Sequence, residues 1–301
     1  MYQNRGFNIS TSKKKVLAAF IETHGNAAEA ARIARVSRQY VYEVLNSLRG
    51  RGFRIRALPS FAALGRVFFV FSAKGSLPLN TNTIAKLSVY MLNGTRGEAA
   101  VYLVPREMFN EFKVLLPPNS SIFEVFDVIP AAPQLKLAEI KVEGDFKLPE
   151  PPRTRIDKDD IAIIEVLNED LSNSISRALP DVSKSRLSYH YRKHVKPLLR
   201  IFIDPALEGF YTKPLLLAEM KAHDESTVAM FLKVEEAYIV VPKVNRVSAF
   251  VLFDVDDVYA FLKTLFEVRE RKNLNIEISL IGFVDPFEST KLMIPHVLRA
   301  F

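Results

Sequence analysis

Cysteine and tryptophan are both absent from this chain of 301 residues. Without cysteine the protein has no disulfide bond, no thiolate nucleophile and no cysteine-ligated zinc. No apolar run approaches the ~18 residues that a membrane-spanning helix needs. The first residues also lack the basic-then-apolar pattern of a secretory signal. These absences predict a cytoplasmic protein that has no membrane partner.

Sequence motifs typical of enzymes are missing as well. The chain has no glycine-rich phosphate loop, no nucleophile elbow and no recognisable catalytic histidine arrangement. We therefore predict that the protein is not an enzyme and that it needs no cofactor. Asp254, Asp256 and Asp257 form an acidic cluster. Because acidic side chains favour helix N-termini, we interpret these three as capping residues.

Two of the five histidines, His190 and His194, lie four positions apart on a predicted helix. Metal sites can use this spacing. However, no cysteine is available and no third ligand is near in the sequence. We therefore predict no metal site, and we expect both imidazoles at the surface or in contact with phosphate.

Positive charge is concentrated in two stretches of the chain. Residues 1–56 hold eleven Lys and Arg against three Asp and Glu, a net +8. Residues 153–200 hold ten against seven, a net +3, whereas residues 57–150 are neutral and residues 201–301 carry −4. A clustered basic face gains free energy by releasing counterions from a duplex. The distribution therefore indicates a nucleic-acid partner.

The two basic stretches belong to an internal repeat. Val36-Ser37 and Val182-Ser183 lie 146 positions apart. The same offset places Leu17 on Ile163, Phe20 on Val166, Ile21 on Leu167 and Pro59 on Pro205. A register held over more than forty residues indicates a tandem of two similar units.

Each copy opens with the pattern of a helix-turn-helix. In the first copy an apolar stripe predicts a helix over residues 12–24, Asn26 caps a second helix and Ser37 caps a third. The second copy has its counterpart at residues 171–187. A basic strand, Phe53–Ala57, follows the third helix. Three helices and a strand give the element order of a winged helix-turn-helix. The residues expected to be buried in the third helix are Val41, Val44, Leu45 and Leu48.

The segment after each helix-turn-helix predicts the order β-α-β-β-α-β of a ferredoxin-like domain, so the fold class is α+β. In the first copy the expected elements are strand 67–71, helix 83–87, strands 89–92 and 99–104, helix 107–116 and strand 122–128. In the second copy they are strand 215–220, helix 225–236, strands 238–241 and 249–253, helix 256–271 and strand 276–281. Two helices cover only one face of a sheet, so we expect the two sheets to associate within one chain.

Proline-rich residues 147–155 predict a linker between the copies. The expected domains are a first winged helix-turn-helix at 1–58, a first ferredoxin-like domain at 59–148, a second winged helix-turn-helix at 149–203 and a second ferredoxin-like domain at 204–301. Within the last domain, the tail 286–301 is expected to form a short helix over a sheet or an interface.

The helix-turn-helix, the strand, a step from Pro59 to Gly65 or from Pro205 to Gly209, and the β-α-β-β-α-β order together resemble the Lrp/AsnC, or feast-famine, transcriptional regulators. Residues 26–42 are in addition similar to the Fis-type helix-turn-helix. The resemblance implies a tandem regulator whose two ferredoxin-like domains pair as two family subunits do. The hairpins at 93–96 and 243–245 lack the Gly-x-x-Asp pattern of the family, so no small-molecule effector is assigned.

The third helix of each copy is expected to enter the major groove N-terminus first. Arginine, glutamine and asparagine side chains make bidentate contacts to base edges, and the other basic side chains suit phosphates. The predicted DNA-binding residues of the first copy are Arg38, Gln39, Tyr40, Tyr42, Asn46, Arg51, Arg54 and Arg56. Those of the second copy are Lys184, Ser185, Arg186, Ser188, Tyr189, Arg192 and Lys193.

These observations predict a sequence-specific, double-stranded DNA-binding transcriptional regulator that is pseudo-dimeric within one chain. A second copy of the chain is a further candidate partner. Three alternatives stay open: a plasmid or viral replication initiator, a siroheme-decarboxylase-like enzyme on the same architecture, and a sequence-blind chromatin protein. The enzyme would need histidines in the ferredoxin-like domains, where only His223 and His296 occur.

Overall fold

A computed structural model describes residues 10–132, 134–140, 145–204, 215–272, 274–285, 289 and 294–295. The protein is a mixed α+β structure with antiparallel sheets. The α-helices of the described residues are α1 (Thr11–Glu22), α2 (Ala27–Ala34), α3 (Arg38–Arg49), α4 (Phe109–Val114), α5 (Lys158–Glu169), α6 (Ile175–Ala178), α7 (Lys184–His190), α8 (Lys196–Leu198), α9 (Glu225–Met230) and α10 (Val258–Lys272). The strands are β1 (Arg54–Pro59), β2 (Arg66–Ser72), β3 (Thr83–Met91), β4 (Arg96–Val104), β5 (Ser121–Val125), β6 (Ile129–Pro130), β7 (Leu199–Asp204), β8 (Leu215–Ala222), β9 (Ala237–Pro242), β10 (Ser248–Phe253) and β11 (Ile276–Asp285).

None of the helices in these ranges is both long enough and apolar enough to cross a membrane. The predicted step from Pro205 to Gly209 lies outside the described residues, as does nearly all of the predicted tail helix at 286–301.

Capping side chains set the starts of α2 and α3. Asn26 Oδ1 accepts the backbone N–H groups of Ala28 and Glu29 at 3.2 and 3.3 Å. Ser37 Oγ accepts the Tyr40 N–H at 3.1 Å. Both helices therefore begin where the sequence predicts, because an Asn or Ser oxygen satisfies N–H groups that have no partner within the helix. The four core residues expected in α3 are buried: Val41, Val44, Leu45 and Leu48.

In the second helical unit, formed by α5 to α8, the helices that follow α5 are shorter than their counterparts in the first unit, α1 to α3. Asp157 and Asp160 form a capping box at the start of α5, and Ser183 Oγ accepts the Arg186 N–H at the start of α7 at 3.4 Å. α6 has four residues, against eight in α2. α7 runs through a π-helical turn, Tyr191–Val195, into α8. The second unit therefore keeps the order of helices found in the first unit, but its helices are less regular.

An antiparallel ladder of β1 and β7 joins the two helical units. It runs from Arg54 opposite Asp204 to Pro59 opposite Leu199. Within it Arg56 lies opposite Phe202, and these positions are 146 apart, the offset of the internal repeat. The ladder is therefore symmetric with respect to the repeat. Apolar side chains from both units form one core beside it, including Val16, Phe20, Leu45, Ile163, Leu167 and Leu187.

The other strands form a nine-stranded sheet in the order β5-β2-β4-β3-β11-β8-β10-β9-β6. Each copy contributes a run of four strands in the same spatial order, β5-β2-β4-β3 and β11-β8-β10-β9, and the first copy adds β6, which pairs with β9. The ladder between β3 and β11 joins the copies. At the opposite ends, Val125 bridges Lys243, and the Phe126 N–H donates to the Pro242 carbonyl at 2.6 Å. The two ends of the sheet therefore meet.

The two four-stranded halves pack against each other across an apolar core. The rings of Phe69 and Phe250, one from each half, stack with centroids 3.9 Å apart. On the other faces, α9 and α10 cover the second half and α4 covers the first. The two halves of the sheet thus associate within the chain, as the uncovered sheet faces led us to expect. The shared core includes Val67, Phe69, Ile84, Val101, Leu217, Val241, Phe250 and Leu252.

The helix predicted at 83–87 is wrong, because these residues belong to strand β3. β3 pairs with β4 along most of its length, with Thr83 opposite Tyr102 and Tyr90 opposite Arg96. β-branched Thr83 and Ile84 suit a strand, and the pairing with β4 outweighs the local helical signal. In the described residues, the first copy therefore reads β-β-β-α-β, with one helix fewer than its counterpart.

Several other element boundaries also differ from the prediction; β11, for example, ends at Asp285 and not at residue 281. α9 ends at Met230 and a short 3₁₀ turn, Phe231–Lys233, replaces the remainder of the helix predicted to residue 236. The strand predicted over 122–128 ends at Val125, where the backbone begins to pair with Lys243 and Pro242 of the second copy. Asp127, which follows, has a fully buried carboxylate. This carboxylate accepts the Phe61 N–H at 3.1 Å and pairs with Arg200 at 2.8 Å.

The predicted linker at 147–155 is packed against the second copy. Leu148 is buried, and its N–H donates to Glu225 Oε1 at 3.2 Å. Glu150 Oε2 accepts a hydrogen bond from Arg246 at 3.0 Å. The connection between the copies is therefore a bound extended segment.

Candidate nucleic-acid interface

The outward face of α3 carries most of the side chains that the sequence predicts for DNA reading in the first copy. Arg38, Gln39, Tyr42 and Asn46 are exposed, whereas Tyr40 is half-buried and packs against the core of the helical units. Val41 and Leu45 point the other way, into that core. Helical periodicity therefore separates the two faces as expected.

Hydrogen bonds along α3 order two of these exposed side chains. Arg38 donates from a terminal nitrogen to the Tyr42 hydroxyl at 3.0 Å, and its guanidinium lies 5.5 Å from the centre of that ring. Gln39 donates to Glu43 Oε1 at 3.0 Å. Glu43 is exposed and places a carboxylate on a face whose predicted DNA-binding residues include no acidic side chain. Glu43 was not among the predicted interface residues. Its position four residues after Gln39 places the two side chains side by side on a helix, so the sequence alone could have indicated this contact.

The corresponding face in the second unit is continuous through α7 and the π turn. Its predicted residues are exposed: Lys184, Ser185, Arg186, Ser188, Tyr189, Arg192 and Lys193. Arg186 differs from the others because its Nε pairs with Asp159 of α5 at 2.5 Å. That ion pair commits part of the Arg186 charge to packing between helices.

The three arginines predicted in and just before the basic strand differ in exposure and contacts. Arg54 is exposed, and Arg51 lies with its guanidinium 5.9 Å from the centre of the Phe53 ring. Arg56 is buried and its guanidinium contacts Asn168 of α5, so its assignment to DNA contact is wrong. Strict alternation along β1 fails because α5 covers the side of the strand that the first copy alone would leave open.

His190 also departs from the prediction, because it is buried instead of lying at the surface. Its Nδ1 is 2.9 Å from Asp160 Oδ1, and His194 Nδ1 is 3.1 Å from the other oxygen of the same carboxylate. Asp160 is thirty positions away from His190 in the sequence, so spacing gave no signal of this third group. Asp160, His190 and His194 form a group of ligand atoms that can hold a metal ion.

The surroundings of this cluster shift the pKa values of two groups, the Asp157 carboxyl and the Tyr191 phenol. Burial, which would raise the pKa of Asp157, is outweighed by the N–H groups of Asp160 and Asp159 and by His190, so its pKa lies below its usual range. Burial raises the pKa of the Tyr191 phenol. Both effects keep the groups in their ordinary charge states at neutral pH, with Asp157 ionised and Tyr191 neutral.

Two other groups singled out in the sequence lie away from both helical faces. Asp257 caps α10, since its Oδ1 accepts the Ala260 N–H at 3.0 Å, which agrees with the capping role predicted for this one residue of the acidic cluster. His223, which the enzyme alternative needs, is exposed in the turn between β8 and α9. His296 lies outside the described residues.

Comparison of the chain with protein-family models, with curated proteins and with solved structures finds no match. The resemblance to the Lrp/AsnC regulators therefore depends on the motif residues and on the order of elements. The case for a function depends on the side chains at the two helical faces.

Proposed function

We propose that this protein is a sequence-specific, double-stranded DNA-binding transcriptional regulator of the cytoplasm. It is a tandem of two winged helix-turn-helix units, at 1–58 and 149–203, each followed by a ferredoxin-like domain, at 59–148 and 204–301. The observation that carries the proposal is the pair of exposed polar faces on α3 and α7. Each face begins at a capping serine, Ser37 or Ser183.

The chemistry of the two faces supports DNA as the ligand. Arg38, Gln39 and Asn46 are the side-chain types that pair with guanine and adenine edges. Lys184, Arg192 and Lys193 supply charges suited to phosphates on the second unit. A helix of this size fits the major groove, and its N-terminal residues would reach the bases first.

The ladder between β1 and β7 and the shared apolar core support a tandem reader. Because both helical units are parts of one packed body, α3 and α7 keep a fixed separation. The two faces differ in nearly every exposed residue, so the proposed target is non-palindromic. Any role for a small-molecule effector, or for a second copy of the chain, rests on the family resemblance alone.

Selection from a random duplex library tests the proposal directly. The expected result is one enriched, non-palindromic motif, whose affinity for the protein falls steeply with salt, with a slope of roughly −5 or steeper in log K against log salt. Exposed Lys113 on α4 provides a control, because Lys113→Ala should leave both motif and slope unchanged. A flat salt titration, or no binding to any duplex, excludes DNA as the ligand.

The same measurement separates the alternatives. Strong binding without an enriched motif indicates a sequence-blind chromatin protein. Enrichment of iterated origin repeats from genomic DNA, in place of promoters, indicates a replication initiator. A visible absorption band in the purified protein would favour the siroheme-decarboxylase-like enzyme.

A further inference from the structure

Three side chains from distant parts of the second helical unit meet between α5 and α7. The two oxygens of the Asp160 carboxylate lie 2.9 Å from His190 Nδ1 and 3.1 Å from His194 Nδ1. All three ligand atoms lie within 4.8 Å of one another. Ligands of a tetrahedral ion with bonds of 2.0–2.1 Å are about 3.3 Å apart. A small side-chain adjustment therefore makes room for an ion.

The charges around this cluster favour a cation. Asp160 is fully buried, and its carboxylate contacts the two imidazoles and the Asp157 N–H. Asp157 Oδ1 lies 3.6 Å from His190 Nδ1 and adds a second carboxylate. The adjacent cation, Arg186, is paired with Asp159. Buried carboxylate charge is costly unless it is paired, and a divalent ion would compensate the charge of the buried Asp160, beside which the exposed Asp157 supplies a further negative charge.

The backbone at the cluster is also unusual. His194 lies within the π-helical turn Tyr191–Val195, and His190 ends α7 immediately before it. Single π turns inside helices are rare and occur frequently at functional sites. Here the turn holds the His190 and His194 rings with centroids 5.3 Å apart, both facing Asp160.

We propose that Asp160, His190 and His194 bind a first-row divalent transition metal such as Zn²⁺, with Asp157 as the fourth protein ligand. Each histidine ligates through Nδ1, keeps its proton on Nε2, and releases any Nδ1 proton to solvent. Two imidazoles with carboxylates select such metals over Mg²⁺ and Ca²⁺, which prefer all-oxygen sites. The ion fastens the end of α7 to the start of α5.

Cobalt titration of the full-length, tag-free, chelator-treated protein tests the site. The expected result is one Co²⁺ per chain with visible d–d absorption that Zn²⁺ displaces and millimolar Mg²⁺ does not. His194→Ala should lower the affinity for Co²⁺ at least tenfold. The matched control His223→Ala, at an exposed histidine remote from the cluster, should bind as the wild type does. Absence of cobalt absorption at millimolar Co²⁺, or equal affinity in His194→Ala, overturns the proposal.

A second measurement needs no substitution and covers the case in which His194→Ala fails to fold. Diethyl pyrocarbonate modifies accessible histidines, and mass spectrometry locates the modified residues. Zn²⁺ should slow modification of His194 at least tenfold in the wild-type protein, while His223 reacts at an unchanged rate. Equal rates at His194 with and without Zn²⁺ overturn the proposal.

Discussion

Arg56 of β1 and Asn168 of α5 are hydrogen-bonded to each other across the two copies, and Asn168 also binds the backbone of Ala57. Arg56 Nε donates to the Asn168 backbone carbonyl at 2.6 Å, and a terminal nitrogen donates to the Asn168 side-chain oxygen at 2.9 Å. The Asn168 amide in turn donates to the Ala57 carbonyl at 3.1 Å. Arg56, the second arginine of β1, is therefore part of the structural core.

Arg56→Ala is expected to reduce stability and not DNA recognition. It leaves the buried oxygens of Asn168 without their charged donor, which should cost about 2–3 kcal/mol of unfolding free energy. Denaturant unfolding measures this loss. The exposed Arg54→Ala is the matched control; it should change stability by less than about 0.5 kcal/mol and lower the salt slope of DNA binding by about 1. The reverse pattern would show that Arg56 leaves its buried position to contact DNA.

Arg38→Ala should weaken binding to the selected duplex by about 1–3 kcal/mol and relax specificity at one base pair. The reason is that Arg38 is exposed at the start of α3 and already ordered by Tyr42. Lys184→Ala should cost less, because a lysine makes a point-charge contact and the second unit carries less net charge. Anisotropy titrations against single-base variants of the site provide the measurement. Equal losses at the two positions would contradict this ordering.

Two separately expressed halves, 1–152 and 153–301, should copurify as a stable pair. The physical reason is that β1 pairs with β7, β3 pairs with β11, and both apolar cores are shared between the copies. Gly282 marks how closely β3 and β11 approach, since a Cβ there would clash with the Tyr90 carbonyl. Size-exclusion chromatography at micromolar concentration checks the association, and two separate peaks would refute it.

Glu236 should make stability depend on pH. Burial raises the pKa of Glu236, and the neighbouring Glu235 adds to the effect, although the Leu137 N–H partly opposes it. A carboxyl whose pKa is raised on folding stabilises the protein fully below the ordinary glutamate value, and this stability is lost as pH rises through the raised value. Glu236→Gln, which mimics the protonated form, should therefore gain stability over the wild type between acidic and neutral pH.

Denaturant unfolding across this range provides the test for Glu236. Glu277→Gln, at an exposed position of β11, is the control for charge removal alone. A stability difference between Glu236→Gln and wild type that stays constant with pH would contradict the burial argument.

Local sequence signals predicted the first helical unit well. Helix caps and apolar stripes depend on residues that are three or four positions apart. The caps at Asn26 and Ser37 and the apolar stripe of α3 can therefore be predicted without knowledge of the fold. The errors arose where partners come from far away. Thr83 lies in a strand because β4 lies beside it, Arg56 is buried because α5 covers it, and His190 is buried because Asp160 comes from another helix.

Under the proposed function, the symmetric ladder of β1 and β7 also determines how occupancy of a DNA site responds to protein concentration. A regulator assembled from separate subunits loses its paired readers on dilution, because their association follows mass action. Here both members of the pair are made in one synthesis, and each strand finds its partner in the same molecule. Occupancy of a site should therefore rise with the first power of concentration down to the lowest copy number.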